Sequence, residues 1–277
     1  MREAIWFRSD LRMLDNPALF HACKSDDAPV AVFFACYETW DNHNWAPIKV
    51  DFLWRNLKSL QQDLADNGIE LEVRLVPKFS QVPGALRQFC REHEVKRVHI
   101  NAEYALDEKR RDAAVEAVLS NDDIELITYH GNLLVAPGQV RTQQGDYYKK
   151  FTPFNRRWRQ VISELGQNDP LKITPYTMVK AKGLPELPFK SKDSSDWSAG
   201  EQEALGKLGQ FVGHSVSQYK SARDIPAESG TSKLSAYLAL GVVGPQTAAR
   251  ALHQFSPEFP FGLPSGADTW LTELAWR

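Results

Sequence analysis

The first 130 residues alternate short apolar runs with longer segments of helical periodicity. The runs are rich in β-branched and aromatic residues, which predicts strands, and the three- and four-residue spacing between them predicts amphipathic helices. The predicted strands are Ala4–Arg8, Val30–Ala35, Leu71–Val76, Arg97–Asn101 and Glu125–Tyr129. The predicted helices are Pro17–Lys24, Val50–Asn67, Val82–Glu92 and Asp107–Ser120. This order predicts an α/β domain with a doubly wound, five-stranded parallel sheet, whose ligands bind beyond the carboxyl ends of the strands.

The pattern changes after residue 132. Residues 133–200 are rich in proline and predict an interdomain linker with one helix, Thr152–Leu165. From residue 201 the periodicity is helical, with predicted helices at Glu201–Val212, Ser215–Arg223, Ser232–Leu240 and Pro245–Gln254. We therefore expect an α/β domain at 1–132, a linker at 133–200 and an incomplete all-helical domain at 201–277. No strand is expected after residue 135, except a short pair near Val140 and Tyr147.

The last ten residues, Asp268–Arg277, predict an amphipathic helix without a stop signal. Trp270, Glu273 and Trp276 with Arg277 recur at helical spacing, so we expect two indoles, a carboxylate and a guanidinium on one face. Such a face suits a ligand, and an aromatic core stripe is the alternative. A short helix is marginal in water unless it packs on something, so we expect the chain to be the front portion of a longer protein.

Composition and cysteine spacing narrow the cellular setting. No apolar run approaches the ~18 residues of a membrane span, and the first residues lack the apolar stretch of a signal peptide, so we expect a cytoplasmic protein without membrane contact. Cys23, Cys36 and Cys90 lie far apart within apolar patterns. They predict buried thiols, with neither a disulfide framework nor a metal site.

Charge is unevenly distributed along the chain. Residues 1–132 carry 16 Lys and Arg against 22 Asp and Glu, whereas residues 133–277 carry 17 against 13. Only the second part suits a polyanion. The stretch with the highest density of positive charge in this part is Tyr147–Arg159, which holds five cations, five aromatic residues and no acid. This composition suits nucleic acid, although a helix with one cationic and one buried aromatic face would look the same.

A second candidate for anion binding lies between residues 225 and 241. A loop with Gly230, Thr231 and Ser232 leads into a predicted helix whose first turn carries Lys233 and Ser235. Hydroxyls, free backbone N–H groups and a lysine can hold a phosphate, but an ordinary helix cap has the same appearance. The glycine-rich motifs of dinucleotide-binding folds and P-loops do not occur.

Four motifs in the same order resemble the DNA photolyase and cryptochrome family. The opening Ile5-Trp-Phe-Arg-Ser-Asp-Leu-Arg-Met-Leu-Asp-Asn-Pro-Ala-Leu19 is similar to the family's first motif, and Tyr148-Lys-Lys-Phe-Thr-Pro-Phe154 is similar to its linker motif. Gly230-Thr-Ser-Lys-Leu-Ser235 resembles its flavin-phosphate loop, and Trp270-Leu-Thr-Glu-Leu-Ala-Trp-Arg277 resembles its W-x-x-E-x-x-W-R helix. The likeness is strongest to bacterial members that repair cyclobutane pyrimidine dimers.

The resemblance implies a function and a set of site residues. It implies a monomeric enzyme that repairs damaged DNA in light, by electron transfer from excited reduced FAD to a flipped-out pyrimidine dimer. The implied FAD contacts are Tyr219, Thr231, Ser232, Lys233, Leu234, Ser235 and Trp270. The implied DNA-binding residues are Arg223, Glu273, Trp276 and Arg277. Among these, Glu273 would hydrogen-bond the dimer and Trp276 would stack on it, and these two carry the catalytic role.

The resemblance also implies an antenna chromophore in the α/β domain. Folate-binding members use a histidine after the second strand and an Asn-Glu pair after the fourth, which correspond to His43 and to Asp107 and Glu108. Asp107 departs from the family's Asn and lacks its amide donor. We expect 5,10-methenyltetrahydrofolate, with a deazaflavin or no antenna as alternatives.

Two other function classes remain open from the sequence. A cryptochrome photoreceptor would share every motif, but the presence of both Glu273 and Trp276 favours repair. A stand-alone α/β binding module with a vestigial helical tail is the third class. We expect the 277-residue chain alone to lack repair activity, because the implied FAD site is only partly present.

Overall fold

The computed structural model describes residues 2–166 and 168–276. Its five strands are β1 (Arg2–Phe7), β2 (Val30–Ala35), β3 (Glu70–Leu75), β4 (Val95–Asn101) and β5 (Glu125–Tyr129). They form one parallel sheet in the order β3-β2-β1-β4-β5. The predicted α/β class and five-stranded parallel sheet are confirmed. Because the chain winds outward in both directions from β1, the crevice that favours ligands lies at the carboxyl ends of β1 and its neighbours.

Helices connect the strands and make up the regular structure after β5. They are α1 (Pro17–Ala22), α2 (Tyr37–Asn42), α3 (Pro47–Asp66), α4 (Val82–Glu92), α5 (Leu106–Ser120), α6 (Phe151–Leu165), α7 (Glu201–Gln210), α8 (Tyr219–Ala222), α9 (Ser235–Leu240), α10 (Pro245–Arg250) and α11 (Ser265–Ala275). Within residues 130–166 and 168–276 no strand follows β5. The short strand pair near Val140 and Tyr147 is replaced by a turn, in which the Thr142 N–H donates to the Asp146 carbonyl.

The alternating side chains of the strands separate two apolar layers. Ala4 and Trp6 of β1 pack with α4 and α5, whereas Ile5 and Phe7 pack with α1 and α3. Successive residues of a strand point to opposite faces, so each apolar run supplies both layers.

The layer on the α1 and α3 face continues into residues 201–276. Tyr237 of α9 is fully buried, its ring meets Phe52 of α3 edge-on at 5.2 Å, and its hydroxyl donates to the Ser198 carbonyl at 2.6 Å. The Leu11 N–H donates to the Leu240 carbonyl at 3.1 Å. The helical segment therefore shares one apolar core with the sheet. The division at residues 132 and 200 stays a prediction.

The loop after β1 joins these parts through buried charged side chains. Arg12 is fully buried and donates to the carbonyls of Gly131 and Gly241, at 2.7 and 3.1 Å. Asp15, also buried, accepts from the Arg250 guanidinium at 2.6 Å and from the Thr247 hydroxyl. Burial would raise the pKa of Asp15, but the hydrogen bonds from Arg250 and Thr247 outweigh it and lower that pKa. Residues of the first sequence motif thus hold together segments that are distant in the chain.

Three predicted helices are partly wrong. The helix predicted at Ser232–Leu240 begins only at Ser235, because Lys233 has φ +52°, which an α-helix does not allow. The segment predicted as Ser215–Arg223 holds the end of a π turn (Phe211–Ser215), a 3₁₀ turn (Val216–Gln218) and then α8. The third, Pro245–Gln254, ends at Arg250 and continues as a 3₁₀ turn.

Candidate functional site

The site begins where α11 crosses the turn before α8. Gly266, in the first turn of α11, faces the Val216 and Ser217 carbonyls so closely that an added Cβ would overlap them. This backbone contact brings the buried Trp270 against Phe211, with 5.1 Å between ring centroids. Phe211 also meets Tyr219 edge-on at 5.7 Å. Two of the expected flavin contacts, Trp270 and Tyr219, therefore flank one phenylalanine that the sequence did not single out.

The loop Gly230–Ser235 lies against the end of α8. A Cβ on Gly230 would overlap the Ala222 carbonyl, and Leu234 is fully buried, so both ends of the loop are fixed. Between them, the side chains of Thr231 and Lys233 are exposed. The expectation that Lys233 lies in the first turn of a helix is wrong, because its left-handed backbone places it before α9.

This loop leaves several hydrogen-bond donors free. Within residues 2–166 and 168–276, no hydrogen-bond acceptor is found for the backbone N–H groups of Thr231, Ser232 and Lys233. The Ser232 hydroxyl instead accepts from the Leu234 N–H at 3.4 Å. Free N–H groups, exposed hydroxyls and an ammonium group are suited to a phosphate.

Arg223 and Glu273 form an ion pair between α8 and α11. The side chains retain 31% and 40% of their exposure, so the pair lies at the rim of the site and not in the core. The hydrogen bond to Glu273 raises the pKa of Arg223. The guanidinium lies 5.7 Å from the centre of the Tyr219 ring, and burial together with the Glu273 charge raises the pKa of Tyr219. The structure thus unites Tyr219, Arg223 and Glu273.

Trp276 lies at the end of α11 and is 63% exposed. Its ring stacks on Phe151 of α6, with centroids 3.7 Å apart and planes at 10°. The expectation that both indoles share one face is wrong, because six helical residues separate two side chains by about 120° around the axis. Trp270 consequently faces the core, while Glu273 and Trp276 reach the surface. Arg277 lies outside the described residues.

The three residues expected at the antenna come together at the carboxyl ends of β1 and β4. His43 Nε2 lies 3.5 Å from an Asp107 carboxylate oxygen, and the His43 ring meets Phe79 edge-on at 6.2 Å. Glu108 lines an adjacent cavity of about 60 Å³. No motif or spacing in the sequence indicates this cavity.

The cavity contains buried guanidinium groups next to an indole. Arg8 and Arg111 lie 4.7 and 4.8 Å from the centre of the Trp6 ring. Glu103 and Asp112 each pair with both cations. Burial would raise the pKa of Glu103, but the charges of the two guanidinium groups outweigh it and lower that pKa. Arg8 stands in the first sequence motif, and that motif is the signal that could have identified it as a site residue. Arg111 lies in α5, where nothing in the sequence distinguishes it from its neighbours.

No helix in residues 2–166 and 168–276 is both long and apolar enough to span a bilayer. The same residues contain no group of three or more His, Cys, Asp or Glu side chains placed to hold a metal ion.

The chain is similar to known DNA photolyases. The family model for DNA photolyase matches residues 3–175. Deoxyribodipyrimidine photo-lyase from Vibrio cholerae is 37% identical over 280 residues, which cover 99% of this chain and 59% of that protein. The Escherichia coli K12 enzyme of the same name is 34% identical, with 99% and 58% covered. This chain therefore spans less than two thirds of the length of these relatives.

Solved structures agree at the level of the fold. A bacterial class III photolyase from Agrobacterium tumefaciens superposes with a TM-score of 0.76 at 25% identity, covering all of this chain and 57% of that one. A cryptochrome from Synechocystis has a TM-score of 0.77 at 22% identity, with 100% and 59% covered. The second similarity concerns the fold alone.

Proposed function

Because the chain belongs to the DNA photolyase family, we propose that it supplies the antenna domain and part of the flavin and DNA sites of an enzyme that repairs cyclobutane pyrimidine dimers in light. The observation that carries this proposal is the arrangement on α11. Glu273 and Trp276 reach the surface from one helix whose buried Trp270 packs beside Tyr219. A carboxylate and an exposed indole on one helix suit a flipped pyrimidine, which needs a hydrogen-bond partner and a flat surface.

The residues around α8 fit FAD. The free N–H groups of Thr231 and Ser232, with the Lys233 ammonium group, suit its pyrophosphate. Gly230 packs directly on Ala222, the last residue of α8, so the loop lies beside the helix that begins at Tyr219. When bound and reduced, FAD supplies the electron that opens the cyclobutane ring. The role of these residues is to hold and orient the cofactor.

Glu273 and Trp276 would act on the DNA. The Glu273 carboxylate can hydrogen-bond the polar edge of a pyrimidine, and its ion pair with Arg223 fixes the carboxylate in one orientation. The exposed ring of Trp276 offers a flat stacking surface to a base that has been flipped out of the helix, so its stacking adds to the preference for a dimer that Glu273 provides.

For the antenna we propose 5,10-methenyltetrahydrofolate at His43, Asp107 and Glu108. The cavity beside Glu108 measures about 60 Å³, whereas ligand pockets usually measure about 300–1,000 Å³. A chromophore therefore cannot lie wholly inside it and has to bind at the rim, where the side chains of His43 and Asp107 are 38% and 51% exposed. Mass spectrometry of the chromophore released from purified protein tests this, and recovery of a deazaflavin would contradict it.

The repair proposal is tested with Trp276→Ala in the flavin-loaded protein at its natural length. Binding to a dimer-containing oligonucleotide and to its undamaged copy is compared, and repair is followed under blue light. The variant should lose about 1–3 kcal/mol of preference for damaged DNA, the range for one base-aromatic stack. Met178→Ala, at a residue with a similar 68% exposure, is the control. A Trp276→Ala protein that prefers and repairs dimers like the wild type would instead favour a photoreceptor.

A further inference from the structure

The stack between Phe151 and Trp276 is the tightest contact between two aromatic rings in the described part of the chain. The centroids lie 3.7 Å apart and the planes are inclined by 10°. Phe151 is the first residue of α6, and Trp276 follows the last residue of α11. The two rings thus meet where two helix ends come together, although 63% of the Trp276 surface remains exposed.

Arg159 holds α6 and α11 in this arrangement. It is buried, and its guanidinium donates to the Pro260 carbonyl at 2.7 Å, to an Asp268 carboxylate oxygen at 2.8 Å and to the Thr272 hydroxyl at 3.0 Å. Three acceptors in fixed positions leave the guanidinium, and with it the two helices, little freedom to move. Phe151 is therefore held against Trp276 by contacts two turns further along α6.

An indole has two faces, and Phe151 covers one of them. A base can then stack only on the other face. We propose, on the basis of the proposed function, that Phe151 is a positioning residue for damaged-DNA recognition: it fixes the plane of Trp276 and leaves a single face for the dimer. Ordering the indole before DNA arrives removes part of the entropic cost of ordering it on binding.

A purely structural contact would have a different signature. If the two rings only contributed apolar burial, any apolar residue of similar volume at position 151 would serve. If the flat ring matters, Phe151→Tyr should behave like the wild type, whereas Phe151→Leu and Phe151→Met should not, because neither side chain presents a plane.

The first experiment compares these variants in the flavin-loaded protein at its natural length. Phe151→Leu and Phe151→Met should reduce the damaged-to-undamaged binding ratio by about two- to tenfold, the range expected for one aromatic pair. The single-turnover repair rate at saturating DNA should not change, because the effect is on binding. The control is Phe20→Leu on α1, whose ring contacts only His21 and Lys24 among the aromatic and cationic contacts of the described residues.

The second readout does not require DNA. The change in near-ultraviolet circular dichroism caused by Phe151→Leu should disappear in a Trp276→Ala background, since the stacked pair is its source. Unchanged damage preference in Phe151→Leu and Phe151→Met, with a loss in Trp276→Ala, would overturn the positioning role and leave the repair proposal intact. A loss in Phe151→Tyr equal to that in Phe151→Leu would also overturn it. No effect of Trp276→Ala would refute the repair proposal itself.

Discussion

The ion pair between Arg223 and Glu273 changes what a substitution at Arg223 should do. The family resemblance implies that Arg223 binds DNA, and if it contacts only phosphates its loss would weaken the binding of damaged and undamaged DNA equally. In the structure Arg223 also holds Glu273. Arg223→Ala should therefore lower the preference for damaged DNA as well, by about 0.5–1 kcal/mol, a small value because both side chains are partly exposed.

Binding to both DNA forms at two salt concentrations measures the two effects of Arg223 separately. The phosphate effect appears in the salt dependence, and the effect on Glu273 appears in the damaged-to-undamaged ratio. Lys220→Ala, an exposed cation on the same helix, should change only the first. If Arg223→Ala leaves the ratio unchanged, the ion pair has no role in recognition.

Asp15 should make the stability of the protein depend on acid pH. Its folded pKa is depressed, because the hydrogen bonds from Arg250 and Thr247 outweigh the effect of burial. A depressed pKa contributes stability above the unfolded value, and this contribution is lost as the pH falls through the folded pKa. Asp15→Asn should thus lower the free energy of unfolding by about 1.5–3 kcal/mol at pH 7, and the difference from wild type should shrink below about pH 4. Urea unfolding across this range measures it, with the exposed Asp26→Asn as control. A difference independent of pH would show that the charge is not responsible.

Two helical glycines give opposite predictions for the same substitution. Gly266 of α11 has no room for a Cβ against the Val216 and Ser217 carbonyls, whereas a Cβ added to Gly206 of α7 would lie more than 4 Å from every described atom outside the backbone of its own helix and its chain neighbours. Gly266→Ala should destabilise the protein and displace α11. Gly206→Ala should stabilise it by about 0.4–1 kcal/mol, because alanine loses less entropy in a helix. Thermal unfolding of both variants is the measurement, and equal effects would show that the backbone contact at Gly266 is not restrictive.

The same contact explains why the helices near the site were harder to predict than the strands. The runs of β1, β2 and β4 are mostly buried on both faces, so their composition marks them, and the observed bounds of all five strands lie within two residues of the predicted ones. The segment 211–218 has helical periodicity, but α11 crosses it at backbone distance, and it adopts π and 3₁₀ turns. Such tertiary contacts override local preference and leave no periodic signal. No helix is predicted at α2, because this helix has only six residues and no side-chain cap that the sequence could reveal.

The sequence indicates candidate residues for the site, but it does not indicate which residues they contact. The family resemblance implied Arg223, Glu273 and Trp276, but nothing in the sequence indicated that Arg223 would pair with Glu273 across 50 residues, or that Trp276 would stack on Phe151. Pairings between separate helices depend on how those helices cross. The helix crossing, in turn, is set here by Gly266 and Arg159, which sequence periodicity does not distinguish from other glycines and arginines.

The whole molecule has two apolar layers of unequal reach. The layer between the sheet, α4 and α5 contains only residues of the first 126 positions, whereas the layer on the other face includes Tyr237, Trp270 and Leu271. If the helical segment detaches, the sheet therefore still has one complete apolar layer. The helical segment does not, because its apolar residues pack in the layer that it shares with the sheet. We expect local opening of residues 201–276 to precede unfolding of the sheet.

Arg12 should control that opening. Its guanidinium joins the loop after β1 to Gly131 and to Gly241, and it is fully buried. Arg12→Met keeps much of the side-chain volume but leaves the buried carbonyls without donors, at a cost on the order of 1–3 kcal/mol for each group that water cannot reach. Hydrogen exchange should therefore accelerate in α9 and α10 while the amides of β1 and β4 stay protected. Arg110→Ala, at a side chain that is 69% exposed, should leave both regions unchanged. If Arg12→Met accelerated exchange equally in the sheet and in α9, the two parts would unfold as one cooperative unit, and the anchor would stabilise the whole chain instead of the interface alone.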